Sequence, residues 1–331
     1  MPELRSIDAI RDALRSELAR DPRVVLLGED ITVGGPFGAT KGLVDEFGEA
    51  RVRNTPISEA AVMGLAVGAA ATGMRPVVEV MFMDFITLAM DQLVNHAAKL
   101  RYMTGGQLRV PLTIRVQGGA AASFGAHHSQ SLEAWLTHVP GLKVVAPATP
   151  ADARGLLIAA IRDDDPVIFI EHRALYWTRG PVPDGHDPVP IGRAKIVRRG
   201  ADVTVISYSR MVGIALEAAT RLADEGLDVE VIDLRSLAPL DIDTLIDSAR
   251  RTRRVVVAHE AVQHGGVGAE IAARIQAEAF GELDAPVLRV GAPFVPVPFS
   301  PELERRFVPD ADDIAGAVRS TVRRPSAVPA G

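Results

Sequence analysis

The chain has 331 residues, 47% of them hydrophobic, enough for two packed domains that each bury a core. Its 36 Lys and Arg against 42 Asp and Glu give a net charge of −6 with no sustained basic stripe, which argues against nucleic acid as a partner. The absence of Cys excludes disulfide frameworks, thiolate metal sites and thiol nucleophiles, and it fits a reducing compartment.

Met1 to Leu14 carries five charges and no apolar h-region, so cytoplasm is the expected location. Ile7, Ile10, Leu14 and Leu18 follow helical spacing, and Asp21-Pro22 ends that helix before a buried-strand run, Val24 to Leu27. Ala60 to Met74 is apolar but Gly-interrupted and shorter than the ~20 residues that cross a bilayer, so it reads as a buried helix and no membrane is expected. Strand-like runs follow at Val77 to Val80, Val110 to Val116, Leu142 to Ala146 and Val167 to Ile170, with helix-period segments between most of them. That alternation predicts an α/β fold, with a parallel sheet covered by helices. Thr149 as cap, Pro150 at the first position and Asp152 in the first turn mark the start of the helix before the last of these strands. From Arg173 to Ala201 the pattern fails, because Pro181, Pro183, Pro188 and Pro190 with Gly180, Gly185 and Gly192 deny regular hydrogen bonding. The expected division is a domain over 1–180, a linker over 181–201 and a smaller α/β domain over 202–331. In the last, strands are expected at Val203 to Ser207, Val229 to Leu234, Val255 to Ala258 and Val287 to Val290, and helices near Val212 to Glu225 and Ala269 to Phe280. Arg324 to Gly331 has the composition of a frayed tail.

Several segments carry possible chemistry. Thr55-Pro56-Ile57-Ser58-Glu59 runs into a helix lined on one face by Ala60, Gly64, Gly68 and Ala71, so another helix or chain can approach closely there. Glu59 reads either as a first-turn acid favoured by the helix dipole or, among Ile57, Val62 and Met63, as a buried carboxyl with a raised pKa. The Gly/Ala-rich run Gly118 to Ala126 delivers His127 and His128 before a helix beginning near Leu132, and such a loop suits a mobile active-site segment. A metal reading of His127, His128 and His138 lacks the ligand spacing of a zinc site, and a solvated loop is the plain alternative. Gly265-Gly266-Val267-Gly268 fails the dinucleotide pattern at Ile271 and reads as a tight strand-to-helix turn. Phe85, Leu88 and Gln92 read as one helix face, so core packing explains Phe85 without function. Asp163 to Asp165 reads first as a solvated acidic helix end.

A series of motifs resembles one family in order and spacing: Gly28-Glu29-Asp30, Gly38-Ala39-Thr40-Lys41-Gly42-Leu43, Thr55-Pro56-Ile57-Ser58-Glu59-Ala60, Ala97-Ala98-Lys99-Leu100-Arg101-Tyr102 followed by Gly105-Gly106, His128-Ser129-Gln130-Ser131, Pro140-Gly141-Leu142-Lys143-Val144-Val145, Ala160-Ile161-Arg162-Asp163-Asp164-Asp165-Pro166 and Val297-Pro298-Phe299-Ser300-Pro301. These are similar to signatures of the β subunit of the E1 component of thiamin-diphosphate-dependent 2-oxoacid dehydrogenases, over nearly the whole chain. The resemblance implies an N-terminal pyrimidine-binding domain and a C-terminal transketolase-type domain. It implies that Glu59 hydrogen-bonds N1′ of the aminopyrimidine, favouring the imino tautomer that forms the thiazolium ylide, with Ile57, Met81 and Phe85 packed around that ring. It places His128 near the reacting carbon, where an imidazole orients the 2-oxoacid and moves protons during acyl transfer. It also implies a monovalent cation, K⁺, held by Leu112, Ala160, Ile161, Asp163 and Asp165.

The Gly-Asp-Gly that ligates the divalent ion in folds holding the diphosphate occurs nowhere in the chain. The resemblance therefore implies that a separate α subunit holds the diphosphate and Mg²⁺, in an α₂β₂ heterotetramer that passes its acyl group to an E2 acyltransferase or a carrier protein. Half of a split transketolase-like or acetoin-cleaving enzyme remains an alternative, as does a silent scaffolding subunit, which the presence of both Glu59 and His128 disfavours. The loop Gln117 to Ala126, His96 and His172 depart from the wording of pyruvate and branched-chain enzymes, so the sequence leaves the donor open.

Overall fold

A computed structural model describes residues 1–120 and 122–322; the tail expected at Arg324 to Gly331 lies outside them. The described residues divide into two compact units, one of residues 1–193, 235–240 and 296–305, the other of residues 194–234, 241–295 and 306–322.

The first unit starts with β1 (Glu3–Arg5) and α1 (Ser6–Arg20), followed by β2 (Val24–Gly28), α2 (Leu43–Phe47), β3 (Val52–Asn54), α3 (Glu59–Ala71) and β4 (Arg75–Val80). A 3₁₀ turn over Met83–Ala89 and a π-helical turn over Gln92–Ala97 lead into α4 (Ala98–Met103), then β5 (Thr113–Gly118), α5 (Glu133–Thr137), β6 (Lys143–Val145), α6 (Pro150–Arg162), β7 (Val167–His172) and β8 (Arg179–Pro181). Its main sheet has seven strands in the order β12-β6-β7-β5-β4-β2-β3, where β12 is Ser236–Ala238. All pairs are parallel except β12 with β6. Both faces of the inner strands are buried, which explains their near-continuous apolar runs. α1 and α6 pack together through Ile7, Leu14, Leu157 and Ile161 over Val24, Val77, Val167 and Phe169. α6 starts as its sequence requires, with Thr149 Oγ1 accepting the Asp152 N–H at 3.1 Å and Pro150 in the first turn.

Three differences from the sequence reading have physical reasons. β5 begins at Thr113 rather than Val110, because Pro111 has no N–H and Leu112 N–H turns back to the Val110 carbonyl. β7 runs on through Glu171 and His172, which are polar yet 2% and 7% exposed. The segment expected to be irregular holds β8, paired antiparallel with β1 as Leu4 opposite Gly180, and β9.

The second unit comprises β9 (Lys195–Arg198), β10 (Val203–Ser207), α7 (Arg210–Ala223), β11 (Val229–Asp233), α8 (Ile242–Thr252), β13 (Val255–Val262), α9 (Val267–Ala279), β14 (Leu288–Ala292) and α11 (Ala311–Val322), while most of α10 (Pro301–Phe307) belongs to the first unit. Its sheet order is β14-β13-β10-β11-β9, parallel except for β9. Met211, Ala215, Ala219, Ile314 and Val318 of α7 and α11 share one core with Val205, Val231 and Val256. The segment Gly265 to Gly268 is the tight entry to α9, with Gly266 at its N-cap.

Candidate active site

β2, β3, β4, β5 and β7 run parallel, so the residues that follow them gather at one edge of the sheet, where open α/β sheets place their ligands. Glu29 follows β2, Thr55 to Glu59 follow β3, Met81 and Phe82 follow β4, the His128 loop follows β5, and Arg173 follows β7. Glu59 is the first residue of α3 and is half-buried. α3 packs on β4 and on the turn Met83–Ala89 that carries Phe85. Of the apolar neighbours expected around Glu59, Val62 and Met63 are buried, but Ile57 is 82% exposed. Burial pushes the Glu29 carboxyl up, and the negative charges of Glu59 and Asp30 add to this.

Phe85 does not belong to a long helix face: it sits half-buried in a 3₁₀ turn, and Leu88 one turn on is 60% exposed. Instead it stands in an aromatic wall. The Phe82 ring meets those of Phe85, Phe124 and His128 edge-on, with centroids 5.6, 6.2 and 4.9 Å away, and Phe85 lies 5.4 Å from His128. His128 is half-buried, its Nδ1 3.4 Å from that of the exposed His127. Met81 is half-buried at the end of β4. The structure thus brings Phe85 and His128 together and adds Phe82, Phe124 and Arg173, which the sequence reading did not single out. Their signal was position alone, one residue beyond Met81, inside the Gly/Ala loop and just past a buried strand.

No group of three or more His, Asp or Glu suited to a metal ion occurs among the described residues. At the expected cation position, the carbonyls of Ile161 and Asp163 converge on the Arg75 guanidinium at 3.1 and 2.8 Å, while Arg75 also reaches Asp164 at 2.7 Å. The Ala160 carbonyl accepts from Asp163 N–H and that of Leu112 from Val167 N–H. The Asp163 and Asp165 carboxylates pair with Lys143, and Asp165 also with Arg101. A protein cation, Arg75, therefore stands at the Ile161 and Asp163 carbonyls, while those of Ala160 and Leu112 accept from backbone N–H groups.

Residues 3–178 match the transketolase pyrimidine-binding domain and residues 192–314 the transketolase C-terminal domain, so fold and site define a transketolase-type chain. A solved structure titled split gene transketolase, inactive β4 tetramer, aligns with a TM-score of 0.78 and 27% identity over 96% of this chain and 98% of its own. The acetoin:2,6-dichlorophenolindophenol oxidoreductase β subunits of Cupriavidus necator and Bacillus subtilis are 48% and 44% identical, over 95% and 96% of this chain and 96% and 97% of theirs. The pyruvate dehydrogenase E1 β subunit of Rickettsia felis is 46% identical over 94% of this chain and 96% of its own. The chain belongs to the family of E1 β subunits of the thiamin-diphosphate-dependent pyruvate and acetoin dehydrogenases.

Proposed function

We propose that this chain supplies the aminopyrimidine side of a thiamin diphosphate site which a separate α subunit completes, for oxidative cleavage of a 2-oxoacid or acetoin. The observation that carries the reading is the half-buried Glu59 at the head of α3, which packs on the turn holding Phe85, whose ring meets that of His128. These residues fit a flat, weakly basic ring, and no cluster among the described residues fits a divalent ion. Bound thiamin diphosphate supplies a carbon nucleophile for the donor carbonyl. Glu59 presents a carboxyl to the pyrimidine N1′ and shares a proton with it, Met81, Phe82 and Phe85 exclude water from the ring, and His128 orients the donor and moves protons during acyl transfer.

Partner and acceptor follow from the same surface. Ala60, Gly64 and Gly68 lie exposed on α3, with Ile57, Leu65 and Leu88 more than half exposed on α3 and its flanking turns. A face this apolar and this free of side-chain bulk supports close contact with another chain, here the α subunit of an α₂β₂ assembly that holds the diphosphate and Mg²⁺. The acyl group then passes to an E2 acyltransferase or a carrier protein. No helix of the described residues is long and apolar enough to cross a membrane, and the Cys-free composition suits cytoplasm.

Two measurements test the proposal. Titration calorimetry of the isolated chain with thiamin diphosphate and Mg²⁺ is expected to show no tight binding, and tight binding without a partner removes the divided-site reading. The assembled complex, given pyruvate, a branched-chain 2-oxoacid and acetoin in turn with dichlorophenolindophenol as oxidant, then names the donor.

A further inference from the structure

We propose that Arg173 is a positioning residue for the loop that carries His128, gripping that loop at both ends of its neck and at its tip. The inference rests on the reading of His128 as the donor-side imidazole. The loop spans 119–129, and its described residues form no helix or strand, so its own backbone does not fix where His128 points. Arg173 stands at the end of β7, 5% exposed. Its Nη2 donates to the Gly119 carbonyl at the start of the loop and to Ser129 Oγ, 3.4 Å away, at its end. Its guanidinium carbon lies 4.7 Å from the Phe124 ring centre at the tip and 5.3 Å from that of Phe82, the ring that meets His128 edge-on. One planar cation thus joins neck, tip and aromatic wall, a combination that needs two donors on Nη2 and a flat face.

The preceding residue makes the grip specific. Gly119 has φ of +86°, and a methyl group built on it would fall 2.2 Å from Nε2 of the buried His172. Only glycine lets the His172 ring lie flush with the neck while the next residue takes the Gly119 carbonyl. His172, which departs from the family wording, and Arg173 therefore form one two-residue clasp, and through it the donor-side geometry follows the end of β7. No proton or electron passes through Arg173; it acts through His128.

The test uses the assembled complex. In Arg173→Met, amide hydrogen exchange at 119–129 is expected to speed roughly tenfold or more, the loss expected for charge-assisted hydrogen bonds and cation–π contacts. Acyl transfer falls, donor KM changes little, and thiazolium C2 exchange stays at the wild-type rate. Arg173→Lys, which keeps the charge and a donor but loses the flat face, should recover part of the loop protection. Phe124→Leu should loosen 122–126 while sparing the neck, and it serves as the second variant if Arg173→Met does not fold. Unchanged exchange over 119–129 in Arg173→Met overturns the proposal. A loosened loop with wild-type acyl transfer leaves the anchor standing and overturns the role of His128 instead.

Discussion

The backbone N–H of Ser123 points at the carboxylate of Glu304, 3.1 and 3.0 Å from its two oxygens, across 181 positions of sequence. Ser123 adopts a left-handed φ of +55°, which its short side chain tolerates only with local support. Beside it, the Cα of Gly125 faces the Phe299 ring. The segment 296–305 is therefore an outer strap on the loop that leads to His128. In Glu304→Ala, exchange of the Ser123 amide should accelerate about tenfold or more, as expected when a hydrogen bond to a charged acceptor is lost. Wild-type protection at Ser123 in this variant would show that the strap contributes nothing to the loop.

Glu59→Gln keeps the shape of the helix start but cannot share a proton with N1′ in the same way. Turnover of the assembled complex should fall by about 10²- to 10⁴-fold, the span of a positioned proton-sharing group, while assembly survives. Wild-type thiazolium C2 exchange in Glu59→Gln would reduce Glu59 to an acid at a helix end.

His128 stands against Phe82 and Phe85 at the end of the loop rather than on α3, so its loss should separate from that of Glu59. His128→Ala is expected to keep C2 exchange and cofactor affinity near wild type and to slow acyl transfer by roughly 10²-fold. Wild-type rates with both dichlorophenolindophenol and the natural acyl acceptor would show the ring to be a bystander.

Most of the first sheet was legible because its strands are buried on both faces and read as apolar runs. The limits of β7 were not, because Glu171 and His172 are polar: Glu171 is matched by Arg115 of the neighbouring β5 and by Tyr176, and His172 Nδ1 accepts from the Ala174 N–H. α8 also escaped notice, although Ile242, Leu245, Ile246 and Ala249 follow helical spacing and Asp241 caps the helix. At the site, Glu59 and His128 could be named from their motifs, since a helix start and a Gly/Ala loop are local signals. Arg173 and Glu304 could not, because each acts on a segment far along the chain that only folding brings near. Ile57, expected against the cofactor, is 82% exposed in the single chain.

The last prediction concerns charge buried beneath the site. Arg115, 1% exposed on β5, donates from Nε and Nη2 to Glu171 at 2.6 and 3.0 Å and from Nη1 to Glu79. Tyr176 Oη also donates to Glu171, at 2.6 Å. One guanidinium thus faces two carboxylates, and the second Glu79 oxygen is buried without a hydrogen bond. Burial pushes the Glu79 carboxyl up, the Arg115 charge opposes this, and the negative charge of Glu171 adds to it. A carboxyl whose pKa is higher in the folded state binds more protons folded than unfolded, so stability falls as pH rises through the window above about 4.5. Glu79→Gln removes the titration while keeping the shape. Its melting temperature should match or exceed that of the wild type at pH 8 and change less between pH 5 and 8. Arg115→Met leaves two buried carboxylates without their cation and should cost about 3–5 kcal/mol, the range for breaking a buried pair from one side. The check is thermal or urea unfolding of the three proteins at both pH values. A wild type whose stability rises across that window would show that Glu79 is ionised and fully compensated in the folded protein, and an Arg115→Met variant as stable as Glu79→Gln would show that the two carboxyls do not depend on the Arg115 charge.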